Sequence, residues 1–96
     1  MATVPKLRSE VVRLIASLDD PPRVVFDLSG VDLLDTSGMA VLLEAIKRCS
    51  LRNGVVALAR AEPQVERELE LTGMSRILPV HPTVEAAVGS ISGVEP

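Results

Sequence analysis

Two hydroxyl side chains stand between acidic residues and an apolar segment near the middle of this 96-residue chain. In the stretch VDLLDTSGMAVLLEAI, Thr36 and Ser37 follow Asp32 and Asp35. A hydroxyl in such a setting can cap a helix, can accept a phosphate, or can act as a nucleophile when a base activates it. These three chemistries differ in what else they require from the chain.

Nucleophilic catalysis requires a general base beside the hydroxyl and a third group that orients the base. The chain has one histidine, His81, and no pattern in the sequence places it near Ser37. A Walker-type phosphate-binding loop is absent from the sequence, and the single cysteine, Cys49, excludes a multi-cysteine zinc site and an intramolecular disulfide. We therefore expect no enzymatic activity, no metal and no cofactor.

The second possibility is that the two hydroxyls lie at the N-terminus of a helix. If a strand ends near Leu28 and a helix begins near Gly38, then Asp35, Thr36 and Ser37 occupy the connecting loop and the start of the helix. Unpaired N–H groups and the positive end of the helix dipole favour an anion there. An ordinary cap by Asp35 or Ser37 is the simpler reading of the composition, although a cap does not need two hydroxyls and a glycine in a row.

Composition limits the binding partners. Apolar residues make up 47% of the chain, but Phe26 is the only aromatic residue, so the core must be aliphatic. The net charge of −3 disfavours direct binding to nucleic acid or to an anionic membrane, which requires a basic surface. The sequence has no apolar run long enough to span a membrane and no signal-peptide pattern, so we expect a cytoplasmic protein.

Helical and strand patterns alternate along the chain, which predicts an α/β domain over residues 1–96 with parallel strands joined by right-handed crossovers. The acidic run EPQVERELE is expected to form a solvated helix face. His81 is expected in a loop near the last helix, and Cys49 on an apolar helix face. The predicted elements are a helix ending before Asp19–Pro22, a strand at Val24–Leu28, a helix over 39–49 capped by Asn53–Gly54, a strand at Val55–Ala59, a helix from Pro63 to Gly73, a short edge strand at Ile77–Val80, a helix from Pro82 to Ile91, and a flexible tail at 92–96.

Two segments, VVFDLSGVDLLDTSGMAVLLEAIKRC and ELELTGMSRILPVHPTVEAAV, resemble STAS domains, specifically the bacterial anti-sigma-factor antagonists. The family pattern is a strand ending in Asp-Leu-Ser-Gly, a hydrophobic pair, Asp-Ser/Thr-Ser-Gly and then a helix. The segment TVPKLR resembles the start of the first helix of the family, so the resemblance covers nearly the whole chain. Asp-Thr-Ser-Gly alone is a weak signal, whereas the combination is specific.

The resemblance implies a phosphorylation switch. Ser37 matches the serine that the partner kinase phosphorylates, Asp35 matches the acidic residue before it, and Thr36 is the alternative acceptor. In this family the unphosphorylated antagonist binds an anti-sigma factor with serine kinase activity and frees the sigma factor for transcription. The phosphorylated antagonist releases its partner, and a PP2C-type phosphatase resets the switch.

A phosphate adds roughly −1.5 to −2 charge and can be tolerated at a helix N-terminus, so it is expected to act by repelling the partner rather than by refolding the chain. Met39 offers an adaptable apolar contact, and Gly38 permits close approach of a kinase. The expected partner-binding residues are Asp32, Asp35, Thr36, Ser37, Gly38 and Met39.

The resemblance is also compatible with a STAS domain that has no switch. A non-switching STAS module, either a stressosome scaffold part or a partner of a lipid-transport ABC ATPase, would bind regardless of the charge at Ser37.

Members of the family usually begin with a two-stranded hairpin, whereas this sequence starts at the first helix. A small sheet of mainly parallel strands with about four helices, lacking the hairpin strands, is therefore expected, and its exposed edge could support a homodimer.

Overall fold

The computed structural model describes residues 4–92, with side chains from residue 8 onward. The alternation of helices and strands predicted from the sequence is confirmed, whereas residues 93–96 of the predicted tail lie outside the described residues. No helix within the described range is long and apolar enough to cross a membrane. The elements are α1 (Val4–Ser17), β1 (Arg23–Asp27), α2 (Thr36–Ser50), β2 (Val55–Ala59), α3 (Pro63–Thr72), a 3-10 turn (Met74–Arg76), β3 (Val80–His81) and α4 (Val84–Ile91).

The three strands form one sheet in the order β1-β2-β3. The N–H of Val55 donates to the Pro22 carbonyl at 3.0 Å beside the start of both β1 and β2. The N–H of Leu28 donates to the Ala59 carbonyl at 2.8 Å where both strands end. Because the strand starts pair with each other and the strand ends do likewise, β1 and β2 run parallel, and the predicted α/β fold is confirmed.

The edge strand β3 is shorter than predicted. It pairs in parallel with β2 through Leu58 opposite Val80, and it begins only after Pro79, whose carbonyl accepts the N–H of Leu58 at 2.9 Å. The predicted start at Ile77 is wrong because a 3-10 turn closes there, with the Ile77 N–H donating to the Met74 carbonyl at 3.0 Å. The edge position of this segment is confirmed.

The described chain divides into two compact units. The first unit comprises the described residues up to 24 together with Asp35–Val55, and in it α1 packs against α2. Not every apolar side chain of these two helices is buried, since Leu14 of α1 is 55% exposed and Leu43 of α2 is 49% exposed. The buried residues of the two helices are Val11 and Ile15 of α1 and Val41, Leu42, Ala45 and Cys49 of α2.

The second unit comprises residues 25–34 and 56–92 of the described chain. Small side chains form part of its core: Ala57 and Ala59 of β2 and Ala87 of α4 are fully buried and pack with Val25, Val84 and Ile91. The left-handed Gly73 (φ 83°) ends α3 as predicted. The N-cap of α4 is Thr83, whose hydroxyl accepts the Ala86 N–H at 3.0 Å, so this helix starts slightly later than predicted.

The predicted cap at Asn53–Gly54 needs correction. The C-cap of α2 is Leu51, and the left-handed residue in the turn after it is Asn53 (φ 61°). Gly54 has a different role, because a Cβ atom there would lie 2.2 Å from the Pro22 carbonyl oxygen. The glycine is therefore required for the close approach of the two strand starts.

Candidate functional site

The helix that carries the two hydroxyls begins two residues earlier than predicted. Its N-cap is Asp35, with extended backbone angles (φ −86°, ψ −175°), and the Oδ1 atom of this residue accepts the Gly38 N–H at 3.0 Å. The Asp35 carbonyl accepts the N–H of Met39 at 2.9 Å as the first intrahelical bond. Thr36 and Ser37 therefore form the first turn of α2, two residues before the expected start near Gly38, and the simpler interpretation of Asp35 as the helix cap is confirmed.

Both hydroxyls are free and accessible. The side chains of Thr36 and Ser37 are exposed, and neither makes a hydrogen bond to any other residue in the described part of the chain. Asp35 already satisfies the capping role, so neither hydroxyl is needed as a cap. The first turn of α2 has no acidic residue. A phosphate on Ser37 would thus lie near unpaired N–H groups at the positive end of the helix dipole.

The next two residues of the predicted surface are less exposed. Gly38 and Met39 are half-buried, and the N–H of Gly38 is engaged by Asp35. Met39 therefore offers only part of its side chain to a partner.

Asp32 belongs to the second unit, where α3 holds the backbone on either side of Leu33. The Asp32 side chain is exposed, and its carbonyl accepts from Nε2 of Gln64 at 3.4 Å. The Leu34 N–H donates to Oε1 of Glu68 at 3.1 Å. The expectation that the acidic run of α3 is merely a solvated face is wrong for Glu68, which is half-buried and bonded to this loop.

The turn that leads out of β1 is stabilised locally. Oδ1 of Asp27 accepts the Ser29 N–H at 3.0 Å, and this hydrogen bond lowers the pKa of the Asp27 carboxyl below its ordinary value. Oδ2 of the same carboxylate lies 3.5 Å from Nη1 of Arg60, which lowers the pKa further. Gly30 then adopts a left-handed conformation (φ 83°), which glycine accommodates without strain.

The single cysteine and the single histidine are both buried at least in part. Cys49 is 1% exposed, and burial raises the pKa of its thiol, as expected for a small apolar core residue. His81, expected in a loop, lies in β3 instead, and its Nε2 atom is buried without a hydrogen-bond partner among the described residues. No cluster of three or more His, Cys, Asp or Glu side chains within residues 8–92 could hold a metal ion.

Gln64 and Glu68, which bond to the backbone of the loop before α2, were not predicted from the sequence to support this region. Their bonds join positions 32 and 34 residues apart in the sequence, so no local pattern predicts them. The charge run contained Glu68 but gave no indication that this glutamate differs from Glu66 and Glu70, which are exposed.

Known proteins resemble this chain in both sequence and structure. A Mycobacterium tuberculosis protein named as an anti-anti-sigma factor is 33% identical over 82 residues, covering 85% of this chain and 55% of that protein. The anti-sigma-F factor antagonist RsfA of the same species is 32% identical over 80 residues, covering 83% of this chain and 62% of RsfA. The chain thus spans less than two thirds of the length of these relatives.

A solved structure has the same fold. The anti-sigma-factor antagonist (STAS) domain protein from Planctomyces limnophilus superposes with a TM-score of 0.86 at 24% identity, covering 94% of this chain and 77% of that one. The STAS family model matches residues 1–87. This antagonist family is not enzymatic. The chain therefore belongs to the STAS domain family, and its relatives are anti-sigma-factor antagonists.

Proposed function

We propose that this chain is an anti-sigma-factor antagonist whose binding is switched off by phosphorylation of Ser37. The unphosphorylated protein binds an anti-sigma factor with serine kinase activity, which frees the sigma factor for transcription. The kinase then phosphorylates Ser37, the complex separates, and a PP2C-type phosphatase restores the binding form. The names of the two Mycobacterium tuberculosis relatives support the antagonist role.

The observation that carries the proposal is the free hydroxyl of Ser37 on a turn that needs no hydroxyl to cap it. Asp35 provides the cap through its bond to the Gly38 N–H at 3.0 Å, and Ser37 is exposed. A kinase can therefore reach the Ser37 hydroxyl without unfolding the start of α2.

The electrostatics of this turn support a switch that acts on the partner rather than on the fold. Asp35 is the only acidic residue at the start of α2, since the first turn contains none. A dianion on Ser37 is compatible with the helix dipole, which stabilises negative charge there by about 0.3–1 kcal/mol. A partner that covers the same turn would have to desolvate that charge, which is costly.

The test measures release of a sigma factor. Wild type, Ser37→Ala and Ser37→Asp are titrated into sigma factor complexes formed with the purified anti-sigma-factor kinases of the organism that carries this gene. Wild type and Ser37→Ala are expected to displace the sigma factor, whereas Ser37→Asp is expected to bind about a hundredfold more weakly, because the interface would bury an added charge without a partner.

Unfolding in urea provides the control. Because an acidic side chain suits the start of a helix, Ser37→Asp should be at least as stable as wild type. Equal binding by Ser37→Asp and Ser37→Ala would refute the switch and favour a non-switching STAS module. Failure of wild type to bind any of the kinases would refute the antagonist role itself.

A further inference from the structure

A cavity opens at the carboxyl ends of β2 and β3, the two strands that end at Ala59 and His81. It has a volume of about 340 Å³ and lies wholly within the second unit. The residues that line it come from β3, from the connections after the two strands and from the first turn of α3: Arg60, Ala61, Glu66, Val80, His81 and Pro82. In open α/β sheets, ligands bind beyond the carboxyl ends of the strands, so this position suits a small molecule.

Arg60 lines this cavity with a backbone conformation that an arginine rarely adopts. Its φ of 59° lies in the left-handed region, and its N–H donates to the His81 carbonyl at 2.9 Å. Its one ion pair among the described residues joins Nη1 to Oδ2 of Asp27 at 3.5 Å, which is longer than a charge-assisted hydrogen bond. A glycine would make this turn without strain, so the turn gives no reason for a guanidinium here.

The imidazole of His81 is a second feature of this cavity that the fold does not explain. Its Nε2 atom is buried and has no hydrogen-bond partner among the described residues. Buried polar atoms in folded proteins are almost always paired, so this nitrogen calls for a partner beyond those residues. Because Nε2 is itself covered, the ring must turn toward the cavity before a ligand can supply that partner.

The remaining side chains of the cavity define the chemistry of its ligand. Glu66 supplies a carboxylate, opposite in charge to Arg60, and Ala61, Val80 and Pro82 supply apolar surface. A simple anion would be repelled by Glu66 and a simple cation by Arg60, so a ligand that carries both charges is the better complement. A molecule with a carboxylate, an ammonium group and a short aliphatic side chain matches all three parts of the lining.

We propose that this cavity binds a small aliphatic α-amino acid. The carboxylate of the ligand pairs with Arg60, its ammonium group pairs with Glu66, and its side chain packs against the apolar residues. The bound molecule also gives Nε2 of His81 its missing partner. This site does not rest on the proposed function, since none of its residues belongs to α2.

The test uses leucine and two matched fragments of it, followed by NMR spectroscopy of the isotope-labelled protein. Isocaproate keeps the carboxylate without the amine, and isoamylamine keeps the amine without the carboxylate. Leucine is expected to shift the amide signal of Ala61 and the ring signals of His81 in a saturable way. Each fragment should have a Kd at least about tenfold higher, because one charge pairing is lost. Equal binding of either fragment would overturn the assignment of an amino acid, and the lack of a saturable shift with leucine would overturn the site.

Three substitutions locate the binding. Arg60→Gly and Asn53→Gly each replace a left-handed residue by glycine, so both variants are expected to fold, as thermal unfolding would show. Arg60→Gly should raise the Kd for leucine at least about tenfold, whereas Asn53→Gly, outside the cavity, should leave it unchanged. Glu66→Gln should remove the preference for leucine over isocaproate, since it takes away the partner of the amine. Leucine binding that survives Arg60→Gly, or a preference that survives Glu66→Gln, would overturn the proposal.

Discussion

Of the three connections from strand to helix among the described residues, those that follow β1 and β2 are built in different ways. Residues 28–35, between β1 and α2, include a turn at Gly30 and end at Asp35, whose side chain caps α2. The backbone of this segment also makes two hydrogen bonds to side chains of α3. Residues 60–62, between β2 and α3, contain the left-handed Arg60 (φ 59°) and end at Glu62, which makes no side-chain capping bond. The longer connection, residues 28–35, leads into a first helical turn with free hydroxyls, whereas the shorter one, residues 60–62, leads into Pro63, which has no hydroxyl.

The first turns of the helices differ in charge as well. The first turn of α3 carries Glu66 and that of α4 carries Glu85, so acidic side chains already complement the dipoles of those helices. The first turn of α2 carries none. Of these three helix starts, α2 alone combines exposed hydroxyls with a first turn that can accept added negative charge.

The largest effect on stability is expected from removing the tertiary support of the long connection. Glu68→Ala should lower the free energy of unfolding by about 2 kcal/mol, because it leaves the N–H of Leu34 without its partner. Urea unfolding measures this change. Glu66→Ala, on the same helix but exposed, should cost less than about 0.5 kcal/mol. Equal effects from the two substitutions would contradict a specific supporting role for Glu68.

A smaller effect is expected from the caps. Asp35→Ala should destabilise the protein by about 1 kcal/mol, because the N–H of Gly38 loses its acceptor. Glu62→Ala should have almost no effect, since this residue makes no capping bond through its side chain. Thermal unfolding of both variants would make the comparison, and a larger loss for Glu62→Ala would reverse it.

The smallest expected effect is on the free energy of unfolding at low pH. The fold lowers the pKa of Asp27 through its bond to Ser29, so the ionised carboxylate stabilises the folded state above the ordinary pKa of 3.8. That contribution is lost as pH falls through the lowered pKa. Asp27→Asn should therefore show a shallower loss of stability below pH 3.8 than wild type, measured by urea unfolding at a series of pH values. Identical acid curves would contradict this role for Asp27.

Local sequence signals predicted the elements better than the contacts between them. The prolines after α1 and Gly73 after α3 act through their own backbone geometry, so they could be recognised without tertiary context. The start of α2 was placed too late because its first turn is polar and the apolar pattern begins only at Met39. The capping preference of Asp35 was noted in the sequence, and giving that signal priority would have placed the start correctly.

The support of the long connection depends on tertiary structure. Gln64 and Glu68 reach residues more than thirty positions earlier in the chain, and nothing around them in the sequence distinguishes them from the solvated charges of α3. For the same reason the pair Leu33–Leu34 looks symmetric in the sequence, although one side chain is buried and the other is exposed. Ser37 was predicted as the phosphorylated residue from its family motif, and the structure adds that its hydroxyl makes no hydrogen bond among the described residues.

The proposal that Ser37 is the phosphorylated residue is tested most directly by the intact mass of the protein after incubation with ATP and a kinase that binds it. Wild type, Ser37→Ala and Thr36→Ala are compared under the same conditions. We expect one added phosphate on wild type and on Thr36→Ala, and none on Ser37→Ala. A phosphate that persists in Ser37→Ala, or no phosphate on wild type despite stable kinase binding, would contradict the assignment of Ser37 as the switch.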